Sequence, residues 1–252
     1  MTNPDPQPAP SFPPFTSRFH TRIHRLTLET SPSRTIDLLA PADPDTLLDD
    51  AVTEARYQAD NYLPYWPIIW PSGLILATKI LSDLTSPPAL PDSQSKIENR
   101  ELKIPSRAIE LGSGLGLAGI AAALRGWHVT FTDYDPEGIL FAHHNALRNG
   151  IPESHIRALH MDWRAPINEQ FPWVIASDVL YERRLHPLVL SAIKSLLAPG
   201  GTAWVSDPQR TSAEDFPLTA AAEGFKVTTT NLQGTNFTGG PQPAQLYVLT
   251  RT

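Results

Sequence analysis

The chain has 252 residues, 41% of them hydrophobic, with 6 Trp, 6 Tyr and 9 Phe, enough to bury a sizeable core and to exclude a wholly disordered polypeptide. Its net charge of -6 has the wrong sign for a general nucleic-acid or anionic-membrane binder. The 0 cysteines exclude disulfides, thiolate metal sites, cysteine nucleophiles and Fe–S clusters. No apolar run reaches the ~18 residues of a membrane span. Met1–Asp5 carries neither a basic nor an apolar leader segment, so a cytoplasmic chain without a secretory signal is expected.

The 26 prolines, about twice average usage, punctuate the elements. Residues 1–16 hold six of them among polar residues and are expected to form a disordered arm. Residues 17–85 read as an N-terminal extension. In it Arg22–Leu28 and Thr35–Leu39 flank a Ser/Pro turn and predict a hairpin. Asp43-Pro44 pairs an N-cap with proline at the first helical position, and the apolar spacing that follows predicts a helix ending near Asp60. Tyr62–Gly73 is an aromatic, proline-rich loop, and a second helix runs from Gly73 to about Leu84. Residues 86–106, with four prolines, predict a surface insertion.

From 107 to 252 strands alternate with helices. Strands are expected at Ala108–Leu111, His128–Thr132, His155–His160, Trp173–Ser177, Thr202–Ser206, Phe225–Thr230 and Gln245–Thr250. Helices are expected at Leu115–Arg125, Pro136–Asn149 (stopped by Gly150), about Leu185–Leu197, and Ser212–Glu223. That pattern defines an α/β fold: a doubly wound, mostly parallel seven-stranded sheet. The last two strands have no helix between them and close it as an antiparallel hairpin.

The sharpest chemical signal is Glu110-Leu-Gly112-Ser-Gly114-Leu-Gly116-Leu-Ala-Gly119, between the first core strand and its helix. Glycines there let main chain turn tightly against a ligand at a helix N-terminus. From Gly114 the string satisfies the dinucleotide fingerprint; from Gly112 it reads as the first motif of S-adenosylmethionine (SAM) enzymes. Glu110 favours SAM, because a carboxylate beside the loop repels a pyrophosphate and welcomes a methionine ammonium. Asp133, ending the second strand beside Tyr134, suits ribose hydroxyls. Asp162-Trp163 after the third strand suits an adenine amine and ring face. Ser177 ends the fourth strand and Asp178 and Tyr181 follow it, where ligands of open α/β sheets sit. His20 and His24 lie in a strand and do not share a helix face, so no metal site is expected. His143-His144, on a helix beside Asn145, reads as a solvated face.

The run from Ile109 to Tyr181 resembles the seven-strand class I SAM-dependent methyltransferases, with their Rossmann-like sheet. Asp178-Val-Leu-Tyr181 resembles the Asp-x-x-Tyr signature of the family 16 protein methyltransferases. Tyr65-Trp66-Pro-Ile-Ile-Trp70-Pro71-Ser72-Gly73 is similar to their upstream Trp-Pro-Gly segment. Asp207-Pro-Gln-Arg210 resembles the Asp-Pro-x-Arg of the group similar to electron transfer flavoprotein β-subunit lysine methyltransferases. The resemblance covers about residues 43–250 apart from the insertion. It implies a SAM-dependent enzyme acting on a protein lysine as a monomer, with no nucleic acid or metal involved. Asp178 and Tyr181 are then expected at the reaction centre, with Trp70, Glu110, Gly112, Gly114, Gly116, Asp133, Tyr134, Asp162, Trp163 and Ser177 on the cofactor. Tyr65, Trp66, Asp207 and Arg210 are expected on the substrate. A small-molecule N- or O-methyltransferase, an NAD-dependent oxidoreductase and a non-catalytic SAM-binding protein are the alternatives.

Overall fold

A computed structural model describes residues 19–83 and 106–251; the expected arm and, but for Ser106, the expected insertion lie outside these. Strand β1 (Thr21–Leu28) pairs antiparallel with β2 (Arg34–Pro41). Period-two alternation puts Leu26, Leu28, Ile36, Leu38 and Ala40 on one buried face. The single helix expected over 43–60 is two pieces: a 3-10 turn at Pro44–Leu47, then helix α1 (Ala51–Asp60). Asp49 and Asp50 sit at the break, where short acidic side chains compete for backbone hydrogen bonds and favour a helix start over a helix interior.

Helix α2 (Pro71–Ser82) begins two residues before the expected Gly73, with Pro71 at its first position. It is buried at Ser72, Gly73, Leu74, Ile75, Leu76, Ala77, Ile80 and Leu81. Apolar residues all round suit a helix wedged between α3 and the closing strands. The core follows in the expected alternation: β3 (Arg107–Leu111), α3 (Leu117–Leu124), β4 (His128–Asp133), α4 (Pro136–Arg148), β5 (Ile156–His160), β6 (Phe171–Ser177), α5 (His186–Leu196), β7 (Leu197–Asp207), α6 (Phe216–Ala222), β8 (Phe225–Thr235) and β9 (Pro241–Arg251).

The sheet order is β5-β4-β3-β6-β7-β9-β8, parallel through β7 and antiparallel at β7–β9 and β9–β8. The closing hairpin is longer than expected because Pro241 and Pro243 lie within β9. They pair with β8 on one side only, beyond the stretch Gln245–Thr250 that pairs with β7, so their missing donors cost the ladder little. Chain direction across the sheet reverses at β3, which opens a crevice past the carboxyl ends of β3 and β6. Among the described residues no helix is long and apolar enough to cross a membrane.

Asn145 is fully buried on α4. It donates to the carbonyls of Leu39 and Leu115 and accepts from Leu39 N at 2.7 Å. Asn149 accepts from Asp37 N at 3.0 Å and donates to Asp37 O at 2.9 Å. Two side-chain amides thereby continue the β2 ladder and seat the hairpin on the core.

Candidate active site

A cavity of about 380 Å³ opens at the crevice, within the size range of small-molecule sites. Its floor is the loop between β3 and α3. Gly112, Gly114 and Gly116 hold φ of 62, 50 and 84, in the left-handed region. A Cβ on Gly114 would stand 2.9 Å from the Trp66 carbonyl oxygen, and one on Gly112 would stand 3.3 Å from the Trp163 ring. Asp133, at the tip of β4, fastens the loop: Oδ2 accepts from Gly114 N at 2.8 Å and Oδ1 from Asp135 N at 2.8 Å. Burial pushes the Asp133 carboxyl up to about 6, against the pull of these backbone donors. Asp135 also caps α4 through Glu137 N, as its sequence position indicates.

Gly112, Gly114, Asp133, Tyr134, Asp162, Trp163, Ser177 and Trp70 line the cavity, together with Tyr65, Trp66, Asp178 and Tyr181. Four expected site residues do not. Gly116 lies below the floor, where a Cβ would meet Ala142 Cβ at 3.0 Å and Phe131 at 3.2 Å; its role is close packing of α3 on α4. Glu110 is buried beneath the loop against the start of α3, with Oε2 abutting Gly119 and lacking a hydrogen-bond partner. The pleat explains this: Ile109 and Leu111 face the α5 side, so Ala108 and Glu110 face the α3 side. Burial pushes the Glu110 carboxyl up to about 8, although nearby Gly119 and Ser113 donors favour its charge.

Asp207 and Arg210 are the other two. They stand behind Asp178 rather than on the substrate side. Arg210 donates through Nη1 to Asp207 at 2.9 Å and through Nη2 to Asp178 Oδ1 at 2.9 Å. Asp207, the last residue of β7, is fully buried because β9 covers it. Asp178 has φ 58, and its Oδ2 accepts from Ser72 Oγ at 2.5 Å and Gly73 N at 3.1 Å. Both its oxygens are thus engaged. Burial raises its pKa, while the Ser72 hydroxyl and the Arg210 charge oppose the rise.

At the mouth, Tyr65 meets Tyr181 edge-on at 5.2 Å and Trp70 at 5.8 Å, and the Trp70 indole donates to Tyr65 O. The Tyr65 and Tyr181 pKa values are both raised, chiefly by burial and then by the Glu182 carboxylate. Trp66 is mostly a core residue, its ring 4.9 Å from Phe141 and its Nε1 without a hydrogen-bond partner. Sequence reading missed Ser72, Asp60, Tyr62, Arg164 and Glu182. Of these Tyr62 and Ser72 lay inside the singled-out aromatic segment, where Ser72 supplies the hydroxyl that Asp178 accepts.

A similar fold occurs in a putative methyltransferase from Thermoplasma acidophilum. Its TM-score is 0.50 at 17% identity over 59% of this chain and 69% of that one, a likeness in fold alone. The architecture is thus a Rossmann-like α/β fold. Residues 66–221 match the lysine methyltransferase family, and the chain belongs to that family. Mouse EEF1A lysine methyltransferase 3 is 31% identical over 115 residues, 44% of this chain and 49% of that protein. The electron transfer flavoprotein β subunit lysine methyltransferase of Xenopus laevis is 26% identical over 159 residues, 62% of this chain and 56% of that protein. A zebrafish protein N-lysine methyltransferase, METTL21A, is 29% identical over 128 residues, 48% of this chain and 58% of that protein. The chain spans about half the length of the curated relatives it matches. These matches do not single out the flavoprotein group among the relatives.

Family membership implies SAM, and the residues present fit it. The cavity offers close-approach main chain at Gly112 and Gly114 and a carboxylate at Asp133. Beyond these lie an acid–aromatic pair at Asp162 and Trp163 and an aromatic mouth at the other end.

Proposed function

We propose that this chain transfers a methyl group from SAM to a lysine amine of a protein. The observation that carries the reading is one continuous cavity joining the Asp133 glycine-loop floor to the Tyr65–Tyr181 mouth. When bound, SAM supplies a sulfonium methyl already activated for in-line displacement, so alignment is the protein's main task. On this reading Asp133 accepts from ribose hydroxyls with the lone pairs that Gly114 and Asp135 leave open. Gly112 and Gly114 let main chain approach the cofactor. Tyr65, Trp70 and Tyr181 bound a slot for the amine, their ring faces suiting a cationic head and excluding water.

Asp178 then acts as a positioning residue. It ties α2, through Ser72 and Gly73, to the end of β6 and keeps Tyr181 at the mouth. With Oδ2 filled by Ser72 and Gly73 and Oδ1 held by Arg210, this buried carboxylate keeps at most one acceptor site, on Oδ1, for an amine. Within the family, two features support the flavoprotein-directed group: Asp207-Pro-Gln-Arg210, and the 159-residue match to the frog enzyme. Incubating the chain with methyl-labelled SAM and a cell lysate tests the reading. Label in a protein band, on lysine after hydrolysis, is expected. Label only in small molecules would move the acceptor to that class, and bound SAM without label would leave a binding protein.

A further inference from the structure

The adenosine end of the cavity is walled by a segment far upstream of the glycine loop. α1 ends at Asp60, Asn61 turns the chain with φ 57, and Tyr62 leads into the aromatic loop; all three line the cavity together with Asp162 and Trp163. Two arginines hold this strap. Arg56 donates to Asp135 at 2.8 Å and covers the Tyr62 ring at 3.7 Å, and neither Arg56 nor Asp135 lines the cavity. Arg164 differs, because it and all its partners line the cavity.

Arg164 spends its donors unevenly. Its main-chain N and Nε give to Asp162 Oδ1 at 2.8 and 2.9 Å, while Nε and Nη2 reach Oδ2 at 2.7 and 2.6 Å. Asp60 Oδ2 stands 3.7 Å from Nη2 and accepts from the Tyr134 hydroxyl at 2.8 Å, which itself lies 3.3 Å from Nη2. Three N–H groups of one residue, the single Nε hydrogen shared between both oxygens, thus occupy Asp162, and Asp60 waits within a short swing of Arg164. A carboxylate oxygen accepts about two strong hydrogen bonds and each Asp162 oxygen already faces two Arg164 nitrogens, so an adenine amine arriving at Asp162 competes first with the shared Nε hydrogen. The three side chains are partly exposed, at 52% for Arg164, 29% for Asp162 and 27% for Asp60. Exchanging one screened ion pair for another there changes little by itself. The amine's preference for the freed Asp162 decides the direction.

We propose that Arg164 is a positioning residue that shifts its ion pair from Asp162 toward Asp60 when the adenosine moiety binds, drawing the end of α1 onto the cofactor. The proposal rests on the SAM reading above. It assigns Asp60 and Arg164 to the cofactor site although neither contacts the reacting atoms.

Hydrogen exchange on the full chain tests it, with S-adenosylhomocysteine and its inosine counterpart, in which a carbonyl replaces the amine, as probes. In the wild-type chain S-adenosylhomocysteine is expected to slow exchange over residues 51–62, and the inosine compound is not. Asp60→Asn and Arg164→Ala are each expected to lose that protection while still binding S-adenosylhomocysteine in calorimetry, Asp60→Asn with affinity reduced about 5-fold. A merely structural role would lower thermal stability and leave ligand-dependent protection intact. Unchanged exchange over 51–62 in the ligand-bound wild type overturns the proposal, as does protection that survives in both variants. A wild-type chain that binds neither probe overturns it together with the SAM reading, whereas binding without protection overturns it alone.

Discussion

The floor of the cavity, from Gly112 to Asp133, is made of main chain; its mouth, where Tyr65 and Trp70 meet Asp178 and Tyr181, is made of side chains. In the floor loop three glycines hold positive φ, and the side-chain contacts, Asp133 to Gly114 N and Ser113 Oγ to Thr132 N among them, fix backbone. At the mouth three rings touch edge-on, and a buried carboxylate is tied to partners 105 and 106 residues away. A main-chain surface tolerates almost no added atom, whereas a side-chain surface survives single losses in proportion to what each loss leaves unpaired. The two halves should therefore fail differently.

Gly114→Val should have the largest effect. It forces a β-branched residue to positive φ and places Cβ against the Trp66 carbonyl at 2.9 Å. Displacement of the loop should cost at least about 100-fold in S-adenosylhomocysteine affinity by calorimetry. Wild-type affinity in this variant would dissolve the contrast between floor and mouth. Arg210→Ala attacks the other half by leaving the Asp178 and Asp207 carboxylates buried without their cation. A loss of about 3–5 kcal/mol in chemical denaturation is expected. Cofactor affinity should fall far less, since Arg210 does not line the cavity. A large affinity loss with little destabilisation would show that the two halves are one unit.

Asp133 gives the third measurement. Its carboxyl is pushed up to about 6 by burial from an ordinary 3.8, and the ionised form is the one that accepts from a ribose. Affinity should fall by about tenfold per pH unit below that value, and Asp133→Asn should flatten the profile. The free chain responds with opposite sign. The native state holds this proton more tightly, so the contribution of Asp133 favours folding below pH 3.8 and is lost as pH rises through about 6. Glu110→Gln should have the smallest effect on binding. Native Glu110 is pushed up to about 8 from 4.5, so the wild type loses stability as pH rises across that window. The variant should flatten this slope in melting curves at unchanged affinity, because the side chain lies beneath the floor.

The same division explains what could be read in advance. Strand, glycine turn and helix from Ala108 to Leu124 are local, and so is the placement of Asp133 at a strand tip; each follows from residue type and period. Glu110 was misplaced although its face was legible, since alternation from Ile109 and Leu111 directs it to α3. Asp207 and Arg210 were expected on the substrate from the resemblance of Asp207-Pro-Gln-Arg210 to Asp-Pro-x-Arg. Only the cover supplied by β9 and the distant Asp178 turns them inward. The clasp of Asp60, Tyr134, Arg164 and Asp162 joins three chain segments with no shared pattern, and nothing local announces it.

The two asparagines of α4 have a consequence for the chain's behaviour in a crowded solution. A two-stranded ribbon ordinarily presents an open margin of donors and acceptors, a template on which another chain can add a strand. Asn145 and Asn149 fill that margin on β2 with amide groups that imitate a neighbouring strand yet belong to a helix, which no further strand can extend. At Asp37 and Leu39 the β2 margin thus carries its own stopper against strand addition, written in two residues more than a hundred positions away.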